Sequence, residues 1–190
     1  MAAEKSADAP GALRLVYLDE CEVHRHPRLA KVWQRRGQPL RVPAAGEDRK
    51  FAVFGALDDA SGRLVSQTSD RKDGTAFVAF LDRLAAAFPD GPIVVVLDNV
   101  GSHKGRLAKD WWLAHQDRVR PLWLPAYAPQ LNLMERVWRH LKDQLSCHRW
   151  WADLEALEAA TAALLARLQA RFHQPDPGGI ALVHNFCEVA

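Results

Sequence analysis

A chain of 190 residues with 48% hydrophobic and 25% charged residues has the length and make-up of one globular domain that buries its own core. A formal net charge of +2 is too mild to announce nucleic acid by itself, and three isolated cysteines, Cys21, Cys147 and Cys187, exclude a disulfide framework and a zinc ribbon. No apolar run is long enough to cross a bilayer, and residues 1–11 lack the apolar centre of a signal peptide, so a cytoplasmic protein without membrane contact is expected.

In chain order, residues 1–11 read as a disordered lead-in to one domain over 12–172, followed by a tail at 173–190. A first strand at 13–18 runs into Asp19 and Glu20. Residues 21–46 are basic and irregular, with His24, His26, Trp33, Arg35, Arg36 and a Gly37-x-Pro39 break, and predict a long loop suited to contact. The runs at 50–57 and 63–66 flank Asp58-Asp59-Ala60-Ser61-Gly62 and predict a hairpin, which makes the first three strands antiparallel. Phe77, Phe80, Leu81, Leu84 and Phe88 recur at helical spacing and stop at Pro89-Asp90-Gly91, the pattern of an amphipathic helix laid on a sheet.

Ile93-Val94-Val95-Val96-Leu97 is a β-branched run of the kind buried on both faces in the middle of a helix-covered sheet. It ends in Asp98-Asn99, where open α/β sheets place their ligands. A helix at 104–116 carries Trp111, Trp112 and His115, and a strand at 119–124 is pushed towards an edge by Pro121. After a loop stiffened by Pro125 and Pro129, a helix at 132–147 turns Met134, Trp138, Leu141 and Leu145 inward and leaves Glu135 at the rim of that face. A last helix at 154–172 buries Leu154, Leu157, Thr161, Leu164, Leu165 and Leu168. The class is α/β, a mixed sheet of three antiparallel strands followed by parallel ones, flanked by helices.

This topology gathers Asp19, Asp98 and Glu135. Hard oxygen ligands without soft partners suit Mg²⁺ or Mn²⁺, and two such ions can clamp the attacking and leaving oxygens of a phosphoryl transfer. Crowded carboxylates in turn need cations, because like charges at close range are costly where water is partly excluded. Each acid also has a plainer reading. Asp19-Glu20 and Asp98-Asn99 can simply start turns, and Asn132-Leu133-Met134-Glu135 has the spacing of a helix capping box. Basic residues gather at 31–49 and 136–149, where phosphates could lie or where the chain simply meets solvent.

Three blocks together carry a resemblance: Leu15-Val16-Tyr17-Leu18-Asp19-Glu20; Val96-Leu97-Asp98-Asn99 followed by His103-Lys104; and Leu124-Pro125-Ala126-Tyr127-Ala128-Pro129-Gln130-Leu131-Asn132-Leu133-Met134-Glu135-Arg136-Val137-Trp138. They resemble the catalytic domain of DDE transposases, in the bacterial insertion-sequence branch of the mariner-like superfamily. The likeness covers most of 13–168, including Trp33-Gln34-Arg35-Arg36-Gly37-Gln38-Pro39. It implies an RNase H-like fold with Asp19, Asp98 and Glu135 as catalytic metal ligands for two Mg²⁺ ions, Mn²⁺ substituting, and Asp19 bridging both. It also implies cleavage of transposon ends by water, then joining of the freed 3′ hydroxyl to target DNA.

Double-stranded DNA is the implied partner, held by a homodimer in the nucleoid. Contacts to it are expected from Arg35, Arg36, Asn99, His103, Lys104, Arg136 and Arg139, with Asn99, His103 and Lys104 at or just behind the scissile phosphate. Two departures stand out: Gln130 replaces the usual Glu and Leu133 the usual Pro, neither of them a metal ligand. Family members carry helix-turn-helix domains upstream, whereas this chain begins almost at the first catalytic strand, so a separately encoded or frameshifted helix-turn-helix partner is expected. The alternatives are a non-catalytic DNA-binding or assembly relic, or an RNase H-like nuclease without joining activity. His24-x-His26 reads as exposed loop histidines rather than a zinc pair, and the helical pairs Trp111-Trp112 and Trp150-Trp151 as core or interface rather than base-stacking platforms.

Overall fold

The computed structural model describes residues 11–44, 46–126 and 128–172; the expected lead-in, save Gly11, and the expected tail with Cys187 lie outside the described residues. Five strands, β1 (Arg14–His24), β2 (Lys50–Asp58), β3 (Leu64–Ser69), β4 (Ile93–Leu97) and β5 (Val119–Trp123), form one sheet in the order β3-β2-β1-β4-β5. β1, β2 and β3 pair antiparallel, and β4 runs parallel to both β1 and β5. This is the mixed sheet the hydrophobic runs imply, with the Pro121 strand at its edge.

Two layers of helix cover it: α1 (Gly74–Ala87) and α2 (Arg106–Ala114) on one face, α3 (Met134–Ser146) and α4 (Leu154–Phe172) on the other. Alternation along the strands divides the core between them. Val16 and Leu18 of β1, with Ala52, Phe54 and Ala56 of β2, meet α1 and α2; Cys21, Val23, Phe51, Val53 and Leu57 meet α3 and α4. Helix α1 starts where Asp73 accepts hydrogen bonds from the Thr75 and Ala76 amides, and it buries Phe77, Phe80, Leu81 and Leu84. Trp111 and Trp112 of α2 belong to this core. Among the described residues no helix is long and apolar enough to cross a membrane.

Two expectations need correction. The first strand does not stop before Asp19 but runs on to His24, because β2 continues to pair with it as far as His24↔Lys50. Its other neighbour lets go earlier: the last rung between β1 and β4 is Tyr17↔Val96. Acidic residues are uncommon inside strands, so a strand paired on one side only is easily read as finished. The contact loop therefore begins after His24, and Arg28 bridges from it to Cys147. Secondly, Trp150 and Trp151 lie in the α3–α4 connection, not on a helix. Trp151 is buried and donates to the Leu145 carbonyl, while Trp150 is exposed with the Arg25 guanidinium 5.8 Å from its ring centre.

One glycine sets the height of α3 above the sheet. Gly55 stands opposite Asp19 in the β1–β2 ladder, and a Cβ there would fall 2.5 Å from the Trp138 ring and 2.6 Å from the Met134 methyl. Only a residue without a side chain admits the first two turns of α3 so close to the row that carries Asp19.

Candidate active site

Three elements bring a carboxylate to one cavity of about 310 Å³, lined by Asp19, Asp98, Asn99, Leu124, Pro125, Asn132 and Glu135 among others. Asp19 faces it because its strand neighbours Leu18 and Glu20 are turned to the opposite, α1-side core. Asp98 follows the last residue of β4, and its Oδ1 accepts from the Val100 amide at 3.2 Å in a tight turn. Glu135 stands in the first turn of α3 with its side chain exposed.

The start of α3 is fastened by Asn132, a buried residue whose weight the sequence did not reveal. Its Nδ2 donates to the Leu18 carbonyl at 2.9 Å, one residue before Asp19, and its Oδ1 accepts from the Met134 amide at 3.1 Å. Asn132 thus holds the chain from one residue before the helix cap at Leu133, and Glu135, which the spacing suggested as the partner in a capping box, lines the cavity. Leu133, where the resembling family has proline, is buried at φ −61°, ψ −27°, angles proline adopts equally, so the helix entry keeps its shape.

The cluster is electrostatically loaded. Burial first, then the adjacent Glu20 charge, with Glu135 and Asp98 adding to it, raise Asp19 from 3.8 to about 7 against one favourable backbone hydrogen bond. Cys21, two residues along β1, is pushed up to about 12, chiefly by burial, so it stays a neutral thiol and a poor ligand. Among the described residues, no group of three or more His, Cys, Asp or Glu side chains closes on a common point as it would around a metal. Asp19, Asp98 and Glu135 share a cavity without converging, and Asp98 is engaged sideways by His103. The donor set itself, three carboxylates and no thiolate, fits a hard divalent cation.

His103 is not where a phosphate contact would be. It is 1% exposed, its ring tilted by 30° against the Phe77 ring with the centres 4.3 Å apart. Its Nε2 lies 2.9 and 3.1 Å from the two Glu20 oxygens, and its Nδ1 3.0 Å from Asp98 Oδ1 and 3.3 Å from the Asp98 carbonyl. Burial pulls its pKa down, but the hydrogen bond and charge of Glu20, helped by Asp98, outweigh this and leave it raised. Of the two positions expected for His103, at the phosphate or just behind it, the structure gives it the second: it is buried behind Asp98 and not on an exposed face. Glu20 was passed over as a companion of Asp19. The available signal was strand alternation, which sends consecutive acids to opposite faces.

Asn99 lines the cavity, and Lys104, which is exposed, bonds to it. The Asn99 amide donates to the Leu124 carbonyl, Lys104 donates to Asn99 Oδ1, and the Lys104 ammonium rests 4.6 Å from the centre of the Trp123 ring. Arg35 and Arg36 are exposed on the loop between β1 and β2, Arg136 is half-buried on α3 and Arg139 exposed one turn further; none of the four lines the cavity. His24 and His26 have an acid partner that spacing could not reveal. Asp48 lies 2.6 Å from His24 Nδ1 and accepts from the His26 amide at 3.2 Å, which ties the loop's beginning to its end.

Comparison with known proteins places this geometry. A family model described as DDE superfamily endonuclease matches residues 14–158. The chain is 31% identical over 157 residues to the insertion element IS630 uncharacterized 39 kDa protein of Shigella sonnei, an alignment covering 80% of this chain and 44% of that one. It therefore spans less than half of that relative's length. Among solved structures, the Mos1 transposase paired-end complex with left transposon end superposes with a TM-score of 0.66 at 18% identity, covering 92% of this chain and 52% of the other. The Mos1 mariner paired end complex with Mn gives 0.64 at 17%, with 92% and 53% covered. The Mos1 transposase catalytic domain with Raltegravir and Mg gives 0.54 at 15%, with 92% and 79% covered. At these identities the likeness is one of fold, the RNase H-like fold that the three sequence blocks implied.

Proposed function

The chain belongs to the DDE superfamily of endonucleases, and on that premise we propose that it is the catalytic domain of an insertion-sequence transposase. It cuts transposon ends and joins the freed 3′ hydroxyls to target DNA. The observation that carries the reading is the arrival of Asp19, Asp98 and Glu135 at one cavity from a central strand, the end of its parallel neighbour and a helix start. The electrostatic strain on Asp19 supports it, since a cluster that repels itself to this degree is built to be neutralised. The Mos1 structures were determined with transposon end DNA and with Mn or Mg, which supports the same substrate and cations here.

Asp19, Asp98 and Glu135 would hold two Mg²⁺ ions, Mn²⁺ substituting. When bound, such ions lower the pKa of the attacking water or hydroxyl and neutralise charge at the scissile phosphate. The protein's own part is to orient these carboxylates and to bring the phosphate to them. Lys104, backed by Trp123 and bonded to Asn99, presents a cation next to a residue of the cavity wall. Arg35 and Arg36 on the loop, and Arg136 and Arg139 on α3, contact the DNA backbone at a distance from the chemistry and set register rather than sequence preference. Reading of the DNA ends falls to a helix-turn-helix module outside the matched residues, whether on the same polypeptide or separately encoded. Two copies act together, one per end, in the nucleoid.

The test is a cleavage and joining assay on the terminal inverted repeats that flank the coding region, with Mg²⁺ or Mn²⁺ and the matching DNA-binding module. Nicking at the ends followed by strand transfer is expected. Asp98→Asn should abolish both while leaving DNA retention on a filter intact, and cleavage surviving that substitution would overturn the assignment.

A further inference from the structure

Resting on this reading of the three acids, we propose that Glu20 and His103 form a buried latch that positions Asp98 relative to Asp19. The ladder between the two central strands ends at Tyr17↔Val96, so sheet pairing does not fix the distance from the later residues of β1 to the turn after β4. On its other side Asp98 is held through β5: the Leu124 amide donates to the Leu97 carbonyl at 2.9 Å, and the Asn99 amide donates to the Leu124 carbonyl. On the β1 side the span is made by His103, with one ring nitrogen on Glu20 of β1 and the other on Asp98. Glu20 and Asp19 are consecutive, so holding one holds the strand segment that carries the other.

The composition of the latch supports a positional role. Glu20 and His103 side chains are 2% and 1% exposed, and a polar pair so deeply buried contributes little net stability over apolar residues of equal volume. The Phe77 ring lies against the imidazole with its centre 4.3 Å away, and the Trp112 indole donates to the His103 backbone carbonyl at 3.3 Å, holding the turn that carries the ring. Both acceptors on Asp98, its Oδ1 and its carbonyl, address the same ring nitrogen. This restrains both the rotamer of Asp98 and the backbone that carries it, and leaves Oδ2 as the oxygen to address the cavity. Lys72, whose Nζ is 3.8 Å from Glu20 Oε1, is a further cation near the pair. Glu20 and His103 are thus positioning residues, acting on the ligand set through Asp98.

The experiment is calorimetric titration of the full chain with Mn²⁺ alone, with thermal melting to check folding. Glu20→Leu should weaken Mn²⁺ binding by about tenfold or more, the usual scale for loss of a partner behind a metal ligand. Glu20→Gln, whose amide oxygen can still accept from Nε2, should stay within about threefold of the parent. The double variant Glu20→Leu with His103→Phe removes the pair together and leaves no buried charge behind. It should melt at or above the parent yet bind Mn²⁺ as weakly as the single leucine variant. If this well-folded double variant binds like the parent while Asp19→Asn and Asp98→Asn lose Mn²⁺, the latch alone falls. If those aspartate variants also bind like the parent, the metal site falls and the latch with it.

Discussion

Replacing Asp19 by asparagine should stabilise the metal-free chain. In the folded protein its carboxyl is raised from 3.8 to about 7, chiefly because it is buried and because Glu20, Glu135 and Asp98 repel its charge. At about 1.4 kcal/mol per pKa unit, ionising it inside the fold costs about 4 kcal/mol. A group whose folded pKa lies above its unfolded one contributes stability that is whole below the unfolded value and is lost as pH rises through the folded value. Asp19 therefore weakens the chain progressively from about pH 4 to about pH 8.

An asparagine at this position would carry no such charge, so in chelator at about pH 8 the Asp19→Asn variant should be more stable by up to about 4 kcal/mol, or about 10 °C in melting temperature for a domain of this size. The gap should close as the pH falls towards about 4, where the parent carboxyl is protonated in both states. The assay is urea denaturation of both proteins across that range, read as a difference so that other titrating groups cancel. Saturating Mn²⁺ should narrow or reverse the order, since ligand binding adds stability to the parent alone. A variant no more stable than the parent at about pH 8, or a gap that does not change with pH, would refute the claim that Asp19 is buried among repelling acids.

Three further outcomes rest on the same geometry. Gly55→Val would drive a side chain into Trp138 and Met134 and should cost about 1–3 kcal/mol by chemical denaturation, with a matching loss of catalysis as α3 lifts from the sheet. Asn132→Leu keeps the volume but strands the Leu18 carbonyl and the Met134 amide; about 1–3 kcal/mol of stability should go, and cleavage should fall further than stability alone explains. Lys104→Ala should weaken DNA binding similarly for every sequence and reduce the slope of log affinity against log salt by about one, read by fluorescence anisotropy over a salt series.

What the sequence made legible was set by the range of the forces involved. Strands β2 to β5 and all four helices show through because burial imposes a period of two or of 3.6 on consecutive residues, and Pro121 and the Asp58–Gly62 turn act on the backbone locally. The three acids can be read together because Asp19 follows an apolar run, Asp98 follows a well-marked strand and Glu135 opens a well-marked helix, and the proline-bracketed block before Glu135 adds specificity. The extension of β1 past Asp19 was not legible, since it depends on which neighbour keeps pairing, a fact held by β2 and not by β1. The same applies to Glu20 and His103, which meet across 83 positions, and to Asp48 with His24 and His26. The place of His103 after Asp98-Asn99 does not tell which way its ring points; the short turn at Gly101–Lys104 sends this ring into the core and leaves Lys104 exposed.

The most direct measurement is anomalous diffraction at the manganese edge from a crystal of the chain soaked in Mn²⁺. Anomalous density within coordination distance of Asp19, Asp98 and Glu135 together is expected. A crystal of undistorted fold with those carboxylates bare, or with manganese instead at Asp48 and its histidines, would contradict the claim that the three acids form one divalent site.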